Sequence, residues 1–153
     1  MRLHVMAGLL LAVSCSGTHE PTQLTATPPR AAITPTANVP ALLGASIDSL
    51  RRRLGAAPPL PASFADPLNV AVAANSTARA DSQATFRTGG LTLVANYNAR
   101  TRQVSDLLLL GQHEDSLMGR ASLQTSSHDY LVLPVFRQDK PTHLLGLRIV
   151  KTR

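Results

Sequence analysis

A stripe of apolar residues predicts a short helix in the first half of the chain. Ile47, Leu50 and Leu54 recur at helical spacing, which places them on one face of an α-helix. Ser46 precedes them, and its hydroxyl can accept an amide hydrogen bond of the first turn. Gly55 follows as a natural stop. We therefore predict a helix that begins after Ser46 and ends before Gly55.

The middle of the chain has the pattern of β-strands. Residues 91–97 alternate between apolar and polar positions, and the preceding Gly89-Gly90 predicts a two-residue hairpin turn. Residues 104–110 end in a run of leucines, and a run that is apolar on both faces indicates a central strand covered on two sides. Asp106 lies within this run, and we interpret it as an outward-facing edge position, with a carboxylate whose pKa is perturbed as the alternative.

The last third of the chain predicts a second helix and two more strands. Residues 113–123 carry acidic residues in the first turn and apolar residues at helical spacing. Residues 130–136 and 144–150 are β runs. Pro134 lies within the first of these runs, and it indicates an edge strand or a bulge because proline has no amide hydrogen to donate.

The order of these elements predicts the fold class. A helix, two or three strands, a helix and two strands predict an α+β fold, with two short helices packed on one face of an antiparallel sheet. The pattern Gly-x-x-x-Asp-Ser-Leu occurs at residues 44–50 and again at residues 111–117, ahead of each set of strands. A tandem αββ repeat and a coincidence both account for this match.

The amino terminus resembles a bacterial lipoprotein signal. Arg2 supplies a positive charge, and residues 5–13 form an apolar run that has the size of a signal-peptide core and is too short to span a bilayer. Residues 12–15, Ala-Val-Ser-Cys, resemble a lipobox, although Ala12 stands where leucine is usual. The resemblance implies cleavage before Cys15 and acylation of its sulfur, with fatty acids such as palmitate. An ordinary cleaved signal is the alternative.

The chain is therefore expected to have three parts. Residues 1–14 form the signal peptide, and residues 15–40 comprise the acylated Cys15 and a tether. The tether contains five prolines and six threonines and lacks apolar periodicity, so it cannot bury enough surface to offset its ordering entropy. Residues 41–153 form the small α+β domain. Ser16 is not the aspartate that marks inner-membrane retention in some bacteria, which favours the outer membrane or its periplasmic face.

Composition and charge narrow the classes of function. The chain has 153 residues, a formal net charge of +6 and one cysteine, which excludes a disulfide framework and a multi-cysteine metal site. The arginines are scattered and only 3% of residues are aromatic, which argues against nucleic acid as a partner. The arginine triplet at residues 51–53 is interpreted as a solvated helix face, with a phosphate or lipid-headgroup contact as the alternative.

The sequence lacks a pattern typical of catalysis. His113-Glu114 begins like the zinc motif HExxH, but Leu117 stands where the second histidine is needed. His128 and His143 lie at the ends of predicted strands, where surface histidines are common. We expect no catalytic residues, no metal and no cofactor. A secreted or periplasmic hydrolase or metal-dependent enzyme that uses His113, Glu114, His128 and His143 is the alternative.

Residues 42–110 resemble the BamE/SmpA family of small outer-membrane lipoprotein domains. The resemblance rests on Gly44, Asp48-Ser49-Leu50 and Leu54-Gly55, followed by a proline-rich loop and the segment LTLVANYNARTRQVSDLLLL. Proline stands one residue later here than in the family's Leu-Gly-x-Pro. The resemblance implies two helices on one face of an antiparallel sheet, and protein–protein contact in the envelope without catalysis.

These observations together predict a class of function. We expect a lipid-anchored cell-envelope protein that acts as a noncatalytic binding or scaffold module. Its expected partners are the membrane, through the lipid anchor, and an envelope protein. An inhibitor-like domain is a further alternative, in which the loop at residues 56–82 and the strand edges bind a target by β-augmentation.

Overall fold

The computed structural model describes residues 32–56, 59–60, 64–67 and 82–152. All of these residues belong to one compact unit, Ala32–Arg153. The predicted signal peptide, Cys15 and much of the predicted tether lie outside the described residues, and so does most of the loop at residues 56–82.

Both predicted helices are present. α1 spans Ile47–Leu54, and the side chain of Ser46 accepts a hydrogen bond from the Ser49 amide at 3.1 Å, as expected of an N-cap. The helix ends where Gly55 adopts a φ of 68°, a left-handed value that favours glycine. α2 spans Glu114–Arg120 and is shorter than the sequence predicted.

Five strands of the described residues form one antiparallel sheet, in the order β1-β2-β3-β5-β4. The strands are β1 Ser82–Thr88, β2 Leu91–Tyr97, β3 Val104–Leu110, β4 Tyr130–Phe136 and β5 Leu144–Lys151. The leucine-rich β3 is central, as predicted. Gly89 and Gly90 join β1 to β2 with φ values of 53° and 70°, the positive values that a two-residue type I′ turn requires.

Both helices pack on the same face of the sheet, which we call the core face. Ile47 and Leu50 of α1 and Leu117 of α2 belong to one apolar cluster with the inward residues of the strands. The register aligns one such residue from each of four neighbouring strands: Phe86, Leu93, Leu109 and Leu147. The predicted α+β fold is therefore confirmed. Three strands follow α1 and two follow α2.

The packed domain begins earlier than residue 41. The Thr36 amide donates to the Arg120 carbonyl at 2.8 Å, and the Thr36 hydroxyl donates to the Gly89 carbonyl at 2.9 Å. Val39 is completely buried in the apolar cluster, next to a 3₁₀ turn at Pro40–Leu42. The prediction that the tether extends to residue 40 is therefore wrong. The hydrogen bonds of Thr36 and the burial of Val39 compensate for the conformational entropy that these residues lose.

β4 is an edge strand, as Pro134 predicted. At the start of β4 the Asp129 carbonyl accepts a hydrogen bond from the Thr152 amide. The hydrogen-bonding groups of successive residues point to opposite sides of an antiparallel strand. The main-chain N–H and C=O groups of Asp129 and of every second residue after it therefore point toward β5. Pro134 falls between these positions, so its main chain points toward the open edge. Its missing amide hydrogen costs the sheet no ladder bond and removes a donor from that edge.

Candidate functional site

Three charged side chains meet on the face of the sheet opposite the core, and we call them the ion-pair network (Asp66, Asp106 and Arg148). Arg148 Nη1 donates to Asp106 Oδ1 at 2.6 Å, and Arg148 Nη2 donates to Asp66 Oδ1. The side chains of Arg148, Asp66 and Asp106 are 5%, 1% and 13% exposed. Charges so far from solvent are costly unless they are paired and hydrogen-bonded, so the network holds together as a unit.

The network continues as a polar row across the strands. Asn96 Nδ2 donates to Asp106 Oδ1 at 2.8 Å, and Gln83 Nε2 donates to Asn96 Oδ1 at 2.9 Å. The strand register explains the row, because Gln83 pairs with Asn96 and Asn96 pairs with Asp106 across β1, β2 and β3. Ser105 Oγ adds a bond to Asp106 Oδ2 at 3.2 Å. The row thus links four strands, from Gln83 on β1 to Arg148 on β5.

The interpretation of Asp106 as an outward-facing edge position is wrong. Asp106 lies in the central strand β3, and its carboxylate accepts hydrogen bonds from two neighbouring strands. The face opposite the core is covered here, since Val94 and Leu108 on that face are completely buried. Asp66 belongs to the segment at residues 64–67 and reaches Arg148 from outside the sheet.

Large apolar side chains are exposed on β4, and we call them the β4 stripe (Leu131, Leu133 and Phe136). They are 52%, 46% and 46% exposed. Leu131 pairs with Val150 and Leu133 with Arg148 on β5, so both leucines lie on the face opposite the core. Exposed apolar side chains grouped on one strand are typical of a contact surface, whereas single ones are ordinary.

Three arginines lie near Asp48 of the first turn of α1, two from the last turn of that helix and one from the turn between β2 and β3, and we call them the arginine cluster (Arg51, Arg52 and Arg102). Arg102 Nη2 and Nε donate to the two carboxylate oxygens of Asp48 at 2.5 and 3.2 Å, and Arg51 lies 3.8 Å from the same carboxylate. The hydrogen bonds from Arg102 hold the pKa of Asp48 below its ordinary value, with smaller contributions from the charges of Arg102, Arg51 and Arg52. The same hydrogen bonds raise the pKa of Arg102.

The histidines of the enzyme alternative lie at separate places in the fold. His113 precedes α2, and Glu114 is the first residue of that helix. The His128 carbonyl accepts from the Thr152 hydroxyl, and His143 lies beside the Thr142 hydroxyl just before β5. Among the residues that the structure describes, no group of three or more His, Cys, Asp or Glu side chains is placed to hold a metal ion.

The sequence offered a signal for part of the network. Asp106 is the charged residue of β3, and Arg148 lies between apolar residues of β5, which indicates burial with a partner. Of the two, only Asp106 is interpreted from the sequence, and no partner is predicted for its carboxylate. Asp66 and Asn96 carry no comparable signal, because Asp66 belongs to a proline-rich loop and Asn96 occupies a polar position of an alternating strand.

Comparison with known proteins leaves the family open. No protein-family model, curated protein or solved structure matches this chain. The resemblance to BamE/SmpA domains and the lipoprotein signal both stay predictions. Within the described ranges, the helices are too short or too polar to cross a bilayer.

Proposed function

We propose that this protein is a noncatalytic binding module of the bacterial cell envelope, held at the membrane by acylation of Cys15. The apolar run at residues 5–13 and the lipobox-like residues 12–15 support the anchor. Two or three acyl chains provide a stable attachment, at about 0.8 kcal/mol for each buried methylene group. The outer membrane or its periplasmic face is the proposed location.

The β4 stripe is the observation that carries the binding role. Leu131 and Leu133 are about half exposed and point away from the core face. Covering such side chains is favourable by roughly 25 cal/mol for each Å² of apolar surface removed from water. The matching partner is a protein that presents an apolar surface, and the contact lies on the open edge strand of the sheet.

The ion-pair network supports the binding role because it holds the sheet rigid. Asp106 accepts bonds from Arg148, Asn96 and Ser105, so the carboxylate is engaged within the protein. Arg148 likewise divides its guanidinium between Asp106 and Asp66. These groups fix the strands beneath the β4 stripe, and rigid support lowers the entropy that a binding surface loses when a partner docks.

Labelling with radioactive palmitate tests the anchor. The wild-type chain, expressed in a bacterium that processes lipoproteins, is expected to incorporate label and to fractionate with membranes. Cys15→Ala removes the only cysteine of the chain, so the variant is expected to incorporate no label. Ser16→Ala, at the next position, is the matched control and keeps the label. Label that persists in Cys15→Ala, or its absence from the wild type, would contradict the proposal.

Site-specific photocrosslinking in intact cells tests the binding surface. A photoreactive residue at Leu131 or Leu133 is expected to give an adduct with one envelope protein, and the same residue at the exposed Arg87 of β1 is the control. Leu131→Ser/Leu133→Ser is then expected to weaken the interaction of the purified pair by tenfold or more, roughly the value of two half-covered leucines. Equal adducts from Arg87, or unchanged affinity, would overturn the assignment of the β4 stripe.

A further inference from the structure

The arginine cluster combines positive charge with a fixed geometry. The guanidinium carbons of Arg51 and Arg102 lie 5.9 and 5.6 Å from the centre of the Tyr97 ring, within the range of a cation–π contact. Tyr97 is buried in the core, so its ring is a rigid base for both side chains. The contacts with this ring restrict where the guanidinium groups of Arg51 and Arg102 can lie.

The backbone beneath Arg102 also holds this geometry. Arg102 has a φ of 64°, a left-handed conformation that residues with a side chain rarely adopt. Its carbonyl accepts the Ile47 amide at 2.8 Å, and its amide donates to the Asn98 carbonyl at 2.8 Å. These bonds compensate for the unfavourable backbone conformation. The turn between β2 and β3 is thus joined to the start of α1, and the arginines of the two elements are brought together.

The charges of the arginine cluster are only partly neutralised. Asp48 is the acid that Arg51 and Arg102 share, and the charge of Arg52 also acts on its carboxylate. Three guanidinium groups against one carboxylate leave an excess of two positive charges. Arg53 and Arg100 lie on the same two elements and are exposed. Planar guanidinium groups with outward N–H donors match the oxygens of phosphate groups.

We propose that the arginine cluster binds the phosphate groups of an anionic phospholipid surface, an inference that rests on the proposed anchoring of the chain at a membrane. Anionic lipids attract arginines that lie close to the bilayer surface. A membrane fits better than a single-stranded nucleic acid, because the aromatic ring at this site is buried and cannot stack on bases.

The distance between anchor and domain permits this contact. The 16 residues between Cys15 and Ala32 have a fully extended length of about 55 Å. The seven residues of β2 cover only about 24 Å. The maximum reach of the connection exceeds the length of the strand, so acylation at Cys15 is compatible with contact between the arginine cluster and the bilayer.

Vesicle sedimentation with the unacylated chain tests the inference. The mature chain from residue 15 onward, with Cys15→Ala, serves as the parent, so that neither an acyl chain nor the apolar run at residues 5–13 contributes. We expect it to bind vesicles of phosphatidylglycerol and phosphatidylethanolamine in equal parts and to stay in solution with phosphatidylcholine vesicles. Arg51→Gln/Arg52→Gln is expected to weaken binding roughly tenfold to thirtyfold. This variant leaves the Arg102–Asp48 bonds in place, and circular dichroism verifies that it folds.

A matched variant distinguishes binding at the arginine cluster from general electrostatic attraction between a basic protein and an anionic vesicle. Arg87→Gln/Lys140→Gln removes the same charge from exposed positions on other elements, and we expect binding to weaken by less than about threefold. Equal losses in the two variants would overturn the inference, as would binding to phosphatidylcholine at the same strength.

Binding measurements with soluble ligands distinguish a lipid surface from other sources of phosphate groups. Binding of inorganic phosphate by calorimetry, together with no binding to anionic vesicles, would show a site for free phosphate and overturn the lipid assignment. Binding of a short DNA duplex that is stronger than vesicle binding, and lost in Arg51→Gln/Arg52→Gln, would overturn it in favour of nucleic acid. A failure of palmitate labelling with vesicle binding intact would count against the anchor alone.

Discussion

Replacing Arg148 with methionine removes the cation that two buried carboxylates share. Methionine keeps much of the apolar stem of arginine and has no N–H donors. Asp106 would keep its bonds from Asn96 and Ser105, and both it and Asp66 would lose the cation that now lies between them. The substitution therefore tests whether the ion-pair network is buried as the structure indicates.

The expected loss of stability is large because the network is almost completely shielded from water. Removing one partner of a buried ion pair costs roughly 3–5 kcal/mol. With a urea dependence of about 2 kcal/mol per M, the unfolding midpoint falls by roughly 1.5–2.5 M. Asp66→Leu combined with Arg148→Met removes both members of the more deeply buried pair, and is expected to regain part of the loss.

Urea unfolding followed by circular dichroism measures these changes. Arg87→Met makes the same chemical change at an exposed position of β1, and we expect an effect within about 0.5 kcal/mol. The reasoning is refuted if Arg148→Met unfolds at the midpoint of Arg87→Met. It is also refuted if the double variant is less stable than Arg148→Met alone.

Three further predictions concern the backbone and the first helix. Gly146→Ala is expected to abolish cooperative thermal unfolding, because the new Cβ would lie 1.9 Å from the Leu109 carbonyl oxygen; a normal transition would contradict the close packing of β3 and β5. Ser46→Ala is expected to cost about 1 kcal/mol in urea unfolding through the lost N-cap bond, and an unchanged midpoint would contradict the cap. Hydrogen bonds from Arg102 keep the pKa of Asp48 below its ordinary value of 3.8, so its contribution to stability is present above that value and is lost as the pH falls through the lower folded-state pKa. Asp48→Asn is therefore expected to be less stable than the wild type at neutral pH, by a difference that shrinks as the pH falls below 3.8, and a difference that stays constant into acid would contradict this assignment.

Features that depend on neighbours in sequence were predictable. The Ser46 cap, the α1 stripe and the Gly55 stop lie within one short segment, and the structure confirms all three. Gly89-Gly90 fixes its hairpin by the positive φ of two adjacent residues. The central place of β3 followed from its apolar character on both faces, and the edge position of β4 followed from Pro134.

Features that depend on distant residues were not predictable from local patterns. Asp66 and Arg148 are 82 residues apart, and no periodicity relates a loop to a strand at that distance. Val39 lies in a segment whose composition indicates disorder, but its burial is decided by contacts with the apolar cluster, beside the Arg120 carbonyl that anchors Thr36. Composition indicates whether a segment can become ordered by itself. Contacts with residues distant in sequence decide whether it is ordered in the folded domain.

The orientation of Pro134 limits how other chains can approach the sheet. An incoming strand would find a gap in the row of main-chain donors along β4, so a continuous ladder cannot propagate from one copy of the domain to the next. In the proposed binding role, recognition at this border would depend on the side chains of Leu131 and Leu133. If the domain is held at a membrane as proposed, its local concentration is high, and an edge strand that is interrupted in this way would oppose fibre growth while its apolar side chains stay accessible to a partner.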